Sequence, residues 1–200
     1  MRLTNRAGPV GLMVAIALAV AVPLAAGAER AVTYGSALTL SGNVPTEAAG
    51  EPVLIFARAH GQAKFGRVAT VETRAGGRWS YKARPVIRTS YLAVWGETTS
   101  SPVEVAVSPF LDLTLQKGVL SVRARTRRPL SGRYVLLQLR RPGGTWRGVR
   151  RLVLNTASRA QAPFAAPRGR SELRLFMPAA QAGRGYDAGH SAVLDYRNNA

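Results

Sequence analysis

The sequence predicts an all-β fold, with two tandem antiparallel β-sandwiches after an N-terminal signal peptide helix. Three observations support this prediction. Short apolar runs alternate with turn residues from Ala37 onward, and no segment keeps a helical period. The 20 Gly and 12 Pro residues separate these runs at short intervals. The order of the runs recurs about eighty residues further along the chain, as in a duplicated unit.

Residues 1–28 have the three-part layout of a secretory signal peptide. Arg2 and Arg6 supply positive charge, the thirteen residues Val10–Val22 are apolar, and Ala26-Gly27-Ala28 offers small residues to a peptidase. Cleavage there would leave 172 of the 200 residues, beginning at Glu29. The alternative is an uncleaved membrane anchor, which needs about 20 apolar residues. Only the marginal stretch 8–28 could serve as one.

The first predicted sandwich, residues 31–108, contains six runs of strand length. Gly76-Gly77 marks a hairpin turn between the third run and the fourth. The six runs are Ala37–Ser41, Pro52–Arg58, Gly66–Thr73, Arg78–Ala83, Ser90–Trp95 and Pro102–Val107.

The second predicted sandwich, residues 109–200, repeats this order after a boundary at Ser108-Pro109. Gly132 corresponds to Gly50 at an offset of 82 residues, and Trp146 corresponds to Phe65 at an offset of 81 residues. Chance similarity between Val-rich strands is the alternative to duplication. The second copy has additional residues between Pro178 and Gly189. Its runs are Val119–Ala124, Gly132–Arg140, Trp146–Leu154, Arg159–Ala166, Glu172–Phe176 and Ala192–Tyr196.

Several motifs resemble those of immunoglobulin-like repeats in exported bacterial proteins. They are Leu38-Thr-Leu-Ser-Gly42, Gly50-Glu-Pro-Val-Leu-Ile-Phe-Ala-Arg58, Gly77-Arg-Trp-Ser-Tyr81 and Ser101-Pro-Val-Glu-Val-Ala-Val-Ser-Pro109. Such repeats are similar to fibronectin type III and carboxypeptidase-regulatory-like modules. The resemblance implies two immunoglobulin-like sandwiches that serve as spacers, adhesive units or accessories to enzymes. It also implies a structural role for Tyr91, which is similar to the conserved tyrosine near the F strand of such sandwiches.

Aromatic side chains are predicted to fill both cores, because they fall on strands and small domains without disulfides need large buried groups. Trp146 follows a Gly-Gly turn and is the one expected to be partly exposed. The residues assigned to the core are Phe56, Phe65, Trp79, Tyr81, Tyr91, Trp95, Tyr134, Phe164, Phe176 and Tyr196.

The sequence contains few residues in arrangements that are typical of a catalytic site. The absence of cysteine excludes disulfides, thiol nucleophiles and cysteine-based zinc sites. The ten carboxylates are scattered, and His60 lies in a predicted hairpin loop. Asp187, His190 and Ser191 have the residue types of a hydrolase triad, but five residues of one loop predict a solvated turn instead. We therefore expect no enzyme activity, no metal site and no cofactor.

Charge is divided unequally between the two halves. Residues 31–108 carry eight Lys and Arg against five Glu, a net charge of +3. Residues 109–200 carry seventeen Lys and Arg against four Asp and Glu, a net charge of +13. Only Lys64, Lys82 and Lys117 among the 28 basic residues are not arginine. Guanidinium groups bind phosphate and carboxylate through paired hydrogen bonds, so the second half is the predicted binding region.

Nine arginines are the predicted polyanion-binding residues. Arg123 and Arg125 point the same way because strand faces repeat every second residue. If their strand pairs with the following hairpin, all nine would line one face or rim. The alternative is that the arginine excess reflects coding bias and solubility. The nine are Arg123, Arg125, Arg127, Arg128, Arg140, Arg141, Arg147, Arg150 and Arg151.

These observations predict an exported, non-catalytic protein of the cell envelope that binds anionic cell-wall or surface polymers through its second repeat. The alternative is a structural or protein-interaction spacer, bound to another envelope protein, whose charge is incidental. The signal segment, together with the lack of a helix-turn-helix or aromatic RNA-binding motif, argues against nucleic acid. Membrane contact is expected only through lipid head groups or an uncleaved signal segment.

Overall fold

The computed structural model describes residues 30–165, 167 and 169–198. The predicted signal peptide, residues 1–28, lies outside the described residues. Among the described residues, no helix is both long enough and apolar enough to cross a membrane. We call residues 30–108 repeat one and residues 109–198 repeat two.

Repeat one forms two sheets from eight strands. A six-stranded sheet has the order β1-β8-β6-β3-β4, with β7 on β6, and a second sheet pairs β2 with β5. All pairs are antiparallel except β1 with β8, which is parallel. The strands are β1 (Arg30–Thr33), β2 (Leu38–Asn43), β3 (Pro52–Ala59), β4 (Gly66–Glu72), β5 (Arg78–Ala83), β6 (Thr89–Trp95), β7 (Thr98–Thr99) and β8 (Val103–Ser108).

Repeat two also forms two sheets. The BE sheet, as we name it here, has the order β13-β10-β9, and the CF sheet has the order β12-β11-β14 with β15 and β16 both on β14. The elements are β9 (Phe110–Gln116), β10 (Val119–Arg125), β11 (Tyr134–Arg140), β12 (Trp146–Val153), β13 (Arg159–Pro163), β14 (Gly169–Met177), α1 (Ala179–Ala182), β15 (Gly189–His190) and β16 (Leu194–Asn198).

Each repeat buries its own core between its two sheets. In repeat one, Leu40 and Trp79 from the smaller sheet pack against Val53, Ile55 and Tyr91 from the larger one. In repeat two, the core is aliphatic and is formed by the inward residues of β9, β10, β11 and β14. These inward residues alternate with exposed ones along each strand, as expected of a sheet with one solvated face. The prediction of two β-sandwiches in tandem is therefore confirmed.

The two repeats share irregular details as well as strand order. The register of β3 with β4 shifts between Ile55 and Phe56, and that of β11 with β12 shifts between Leu137 and Gln138. Both shifts lie 82 residues apart, the offset found in the sequence. Bulges are specific local features, so chance similarity of Val-rich strands does not account for them. The equivalence supports duplication.

The same equivalence holds for a buried serine after the sixth strand of each repeat. The Ser100 hydroxyl accepts a hydrogen bond from Ala93 N and donates to Ser101 O. The Ser191 hydroxyl accepts from Leu175 N and donates to Ala192 O. In both repeats the hydroxyl satisfies the backbone where the sheet pairing is interrupted.

All twelve predicted strands are present, with ends displaced by a few residues. The prediction missed the short strands β1, β7 and β15 and the single-turn helix α1. It also missed β9, although Leu111, Leu113 and Leu115 alternate there with polar residues. The predicted Gly76-Gly77 turn joins β4 to β5. Gly77 has a φ of +63°, and a Cβ there would lie 2.4 Å from Val44 O, so both the backbone conformation and the space require glycine.

Candidate functional site

The BE sheet of repeat two presents arginines on its outer face. In β10, Arg123 and Arg125 are exposed while Val122 and Ala124 are buried, because alternate side chains point to opposite faces. Arg123 lies in register between Asp112 of β9 and Arg159 of β13. The guanidinium of Arg125 lies 4.1 Å from the centre of the Phe110 ring, which holds it against the sheet.

Three depressions follow one another along this side of the molecule. The outer depression, of about 460 Å³, lies on the sheet face around Arg123 and Arg159. The middle depression, of about 360 Å³, shares those two residues and continues along Arg125 to the β10–β11 loop. The inter-repeat groove, of about 610 Å³, shares Arg127 and Arg128 with the middle depression and ends against repeat one.

Positive charge dominates all three depressions. Asp112 is the only carboxylate among the residues that line them. We call the lining arginines the basic surface: Arg123, Arg125, Arg127, Arg128, Arg133, Arg159 and Arg184. All seven are exposed, so their guanidinium groups are available to a ligand.

The inter-repeat groove is formed by both repeats. His60 and Ile87 supply the wall from repeat one, and Arg133 and Arg184 are among the residues of the opposite wall. The groove exists because the loop after α1 packs onto repeat one. Gly185 lies so close to His60 that a Cβ would be 2.7 Å from the imidazole Cδ2, so no larger residue fits there.

Tyr186 connects the two repeats through hydrogen bonds of its side chain. Its side chain is 8% exposed, and its hydroxyl donates a hydrogen bond to Val86 O at 2.6 Å. The same hydroxyl accepts a hydrogen bond from Arg127 N at 2.9 Å. Burial raises the pKa of Tyr186, so the hydroxyl keeps the proton that it donates. One side chain thus connects repeat one to the loop that carries Arg127 and Arg128.

Further contacts surround Tyr186 and complete what we call the joint. Arg88 of repeat one forms an ion pair with Asp187 of repeat two. The backbone N–H of Arg88 donates to Gly185 O, and that of Asp187 donates to Val107 O. Ile87 packs against the core of repeat two. The joint therefore combines apolar burial with backbone hydrogen bonds, a combination that fixes relative orientation better than surface ion pairs alone.

The other five predicted arginines lie elsewhere. β10 pairs with β9 and β13, not with the β11–β12 hairpin, so the expectation that all nine line one face or rim is wrong. The physical reason is that successive strands of a sandwich cross from one sheet to the other. The five that lie on the CF sheet are Arg140, Arg141, Arg147, Arg150 and Arg151.

Three of these five have intramolecular partners. Arg140 forms an ion pair with Glu172 at 2.7 Å, and Arg151 lies 4.3 Å from the centre of the Tyr134 ring. Arg150 donates to Pro163 O at the edge of the sandwich. Arg141 and Arg147 are exposed near the hairpin turn. Two of the five arginines are therefore engaged with their own sheet, and a third is engaged with β13 of the BE sheet.

The prediction that Tyr134 and Phe176 lie in the core of repeat two is wrong, because both are half-buried on the outer face of the CF sheet. Trp146 is half-buried on the same face, in agreement with its expected partial exposure, and Phe164 packs against the core. Arg174 lies 4.2 Å from the centre of the Trp146 ring, and its burial there lowers the pKa of the guanidinium. Period 2 places a residue on one of two faces but does not say which face is buried. The aliphatic residues between these aromatics take the inward positions.

The triad residue types in the loop after α1 are directed to different partners. Asp187 pairs with Arg88, and the Ser191 hydroxyl is used by the backbone of its own sheet. The His190 ring stacks on Phe176 at 4.9 Å. Burial and the charge of Arg174 lower the pKa of His190. Within the part of the chain that the structure describes, no three His, Asp or Glu side chains are grouped to hold a metal ion.

The sequence analysis did not identify Arg133, Arg159 and Arg184 as members of the basic surface, or His60 as part of the wall of the inter-repeat groove. The position of Arg159 beside Arg123 follows from the repeat. In repeat one β2 pairs with β5, and the repeat offset transfers that pairing to β10 and β13. The other three come together only through the joint. The local sequence does not show which loops of two domains will contact each other.

The strand order defines the class of the molecule. In each repeat a small antiparallel sheet faces a larger sheet, and the chain is a tandem pair of β-sandwiches with an immunoglobulin-like fold. No protein-family model and no curated protein matches the sequence.

Solved structures with a similar arrangement include the chicken interferon gamma receptor alpha chain. The match is 11% identical, covers 80% of this chain and 90% of that one, and has a TM-score of 0.40. The FN1-FN3 domains of chicken CNTN1 match at 14% identity over 84% of this chain, with a TM-score of 0.28. This chain spans 62% of that fragment.

Proposed function

We propose that the protein is an exported, non-catalytic tandem β-sandwich that resides in the cell envelope and binds anionic cell-wall or surface polymers through repeat two. One observation carries the proposal: seven arginines and a single carboxylate line three successive depressions. The site retains four of the nine predicted residues and adds Arg133, Arg159 and Arg184. The remaining five belong to a different sheet.

The physical basis is counterion release. A polymer that carries a negative charge on every unit holds condensed cations, and guanidinium groups that neutralise its charges release those cations, which favours binding. A surface with several guanidinium groups and few carboxylates also attracts such a polymer from solution. Binding of this kind weakens steeply as salt is added. The succession of depressions gives a flexible polymer one continuous path along the sheet and its loops.

The test is retention of residues 29–200 on isolated cell envelopes and on a defined polymer, long-chain polyphosphate, across a salt series. The test variant is R123Q/R125Q/R127Q/R128Q. The control, R140Q/R141Q/R147Q/R151Q, removes the same charge from the CF sheet. Each variant removes one arginine that stacks on an aromatic ring, and the control also loses the Arg140–Glu172 ion pair, which is partly exposed and contributes less than about 1 kcal/mol.

The slope of log K against log salt is negative, and the test variant is expected to reduce its magnitude by about 3. Each phosphate contact contributes roughly 0.7 to that magnitude for a flexible strand. The control is expected to lower it by less than about 1. Equal loss in both variants would mean that only net charge matters, and no retention of the wild type at low salt would refute the proposal outright.

A spacer or protein-interaction module is the second candidate, and the outer face of the CF sheet favours it. There Arg174 lies on Trp146 and Arg151 on Tyr134, which gives a surface that is both aromatic and charged. Aromatic and arginine side chains are common in protein interfaces. A stoichiometric partner retained in high salt, and released by substitution of Trp146, would support this function.

A further inference from the structure

We propose that the inter-repeat groove is a phosphate-selective site, built by both repeats, for the phosphate groups of the bound polymer. This inference rests on the proposed function and specifies its ligand chemistry. The groove differs from the rest of the basic surface because it is concave between two domains. Its volume of about 610 Å³ is within the usual range of about 300–1,000 Å³ for ligand pockets.

The arginines of the groove come from two different loops, an origin that favours phosphate over carboxylate. Arg127, Arg128 and Arg133 belong to the β10–β11 loop, and Arg184 belongs to the loop after α1. Donors from two loops can approach a bound anion from more than one side. A phosphate group offers oxygens in tetrahedral directions to such donors, whereas a carboxylate offers two oxygens in one plane.

The groove contains no competing carboxylate among its lining residues. Asp187 is the nearest acidic residue along the chain to Arg184, and its charge is held by Arg88 on the far side of the loop. Leu130, Ile87 and Ala182 supply apolar surface beneath the charged side chains. Ionic hydrogen bonds gain strength where apolar surface excludes water, so a bound anion would be held more tightly here than on the open sheet face.

The joint preorganises the site. The Tyr186 hydroxyl bonds Arg127 N on one side and Val86 O on the other, so the arginine loop and the wall from repeat one are held at a fixed separation. A ligand would then bind without the ordering of a loop, which is a major cost of binding to mobile segments. Four arginines held close together without an anion repel one another. Anion binding should therefore raise the thermal stability of the protein.

The test uses inorganic tripolyphosphate as the phosphate probe and citrate as a carboxylate probe of similar charge. Calorimetry and thermal denaturation are done at constant ionic strength. We expect tripolyphosphate to bind at least about 10-fold more tightly than citrate. R128Q/R184Q should weaken that binding by at least about 100-fold, since the loss of the charged hydrogen bonds of each arginine weakens binding by about 10-fold or more. The control R141Q/R147Q should change it by less than about 2-fold.

A second variant isolates the contribution of repeat one. H60E places a negative charge on the opposite wall, in a loop that carries none of the basic surface, and should abolish tripolyphosphate binding while polymer retention persists. Equal affinity for citrate and tripolyphosphate, or unchanged binding by H60E, would overturn the phosphate site and leave the proposed function intact. Loss of polymer retention by the wild type would instead overturn the proposed function.

Discussion

The joint predicts a sharp effect for the smallest change that can be made in it, Tyr186→Phe. The substitution keeps the ring that fills the space between the repeats and removes only the hydroxyl. Two hydrogen bonds are lost, one to Val86 O and one from Arg127 N. Both partners are backbone groups on loops packed against the other repeat, and the substituted ring offers neither of them a replacement.

The magnitude follows from these two bonds. A net hydrogen bond contributes about 1 kcal/mol, and a buried group left without a partner costs about 1–3 kcal/mol. Both bonds are only part-buried, and Val86 and Arg127 are themselves exposed, so the net value of about 1 kcal/mol applies to each bond. We therefore expect the joint to lose about 2 kcal/mol. That loss corresponds to a roughly 30-fold increase in the population in which the joint is open.

Hydrogen exchange measured by NMR reads this population directly. The amide of Arg127 donates to Tyr186, while the amides of Arg88 and Asp187 donate across the joint. All three should lose protection together, by about 30-fold, because local opening exposes a cooperative unit. Amides in the centre of β3 should keep their protection.

Tyr196→Phe is the control, because it makes the same chemical change on β16, away from the joint. It should alter no amide of the joint. If Tyr186→Phe changes protection at Arg127 by less than about 2-fold, or changes Arg127 alone and leaves Arg88 and Asp187 unaffected, the assignment of the joint as one cooperative unit is refuted.

Three further predictions concern the two sandwiches. Gly77→Ala should cost about 2–3 kcal/mol of unfolding free energy, because it combines a positive φ with a Cβ 2.4 Å from Val44 O. Burial raises the pKa of Tyr91 to about 12 from 10.0, so the stability that its protonated form provides is complete below pH 10 and is lost as the pH rises through 12. The pKa of His190 is lowered from 6.5, so its contribution is complete above pH 6.5 and is lost as the pH falls through the lower folded value.

Each of these has its own measurement. Gly96→Ala is the control for Gly77, since its φ is +56° but nothing lies within 4 Å of a Cβ, and urea denaturation should give it a cost of only about 1 kcal/mol. Ultraviolet titration of tyrosinate should show late groups, because the pKa of Tyr186 is also raised, and Tyr91→Phe should remove one of them. Unfolding between pH 7.5 and 5 should become less pH-dependent in His190→Gln; an unchanged profile would contradict the assigned environment.

The fold was largely predictable from the sequence because each strand carries its own signal. Runs such as Pro52–Ala59 have the length and apolar content of buried strands. Gly76 and Gly77 both have positive φ, and a Gly-Gly pair is typical of a turn that needs this conformation. The repeat offset then transferred these assignments to the second half. The short strand β1 carries little apolar pattern, so its pairing with β8 was not visible locally.

The candidate site was predictable only in part, because it depends on which sheet each strand joins. Arg123 and Arg125 were correctly placed on one face, since that follows from the period of a strand. Their separation from Arg140 and Arg151 follows from the crossing of the chain between sheets, which strand signals do not report. The contribution of Arg184 depends on the packing of a loop against another domain, a long-range contact that no local pattern contains.

The parallel pairing of β1 with β8 sets an order of events during folding. Arg30 pairs with Val105, seventy-five positions later, so the first strand to be synthesised must wait for the last strand of its repeat. β2 to β6 have partners closer in sequence and can associate earlier, since short loops close at lower entropic cost. Tyr34 N, just after β1, bonds Ser108 O beside the boundary with repeat two. The pairing that completes the larger sheet of repeat one therefore also fixes the position at which the chain enters repeat two.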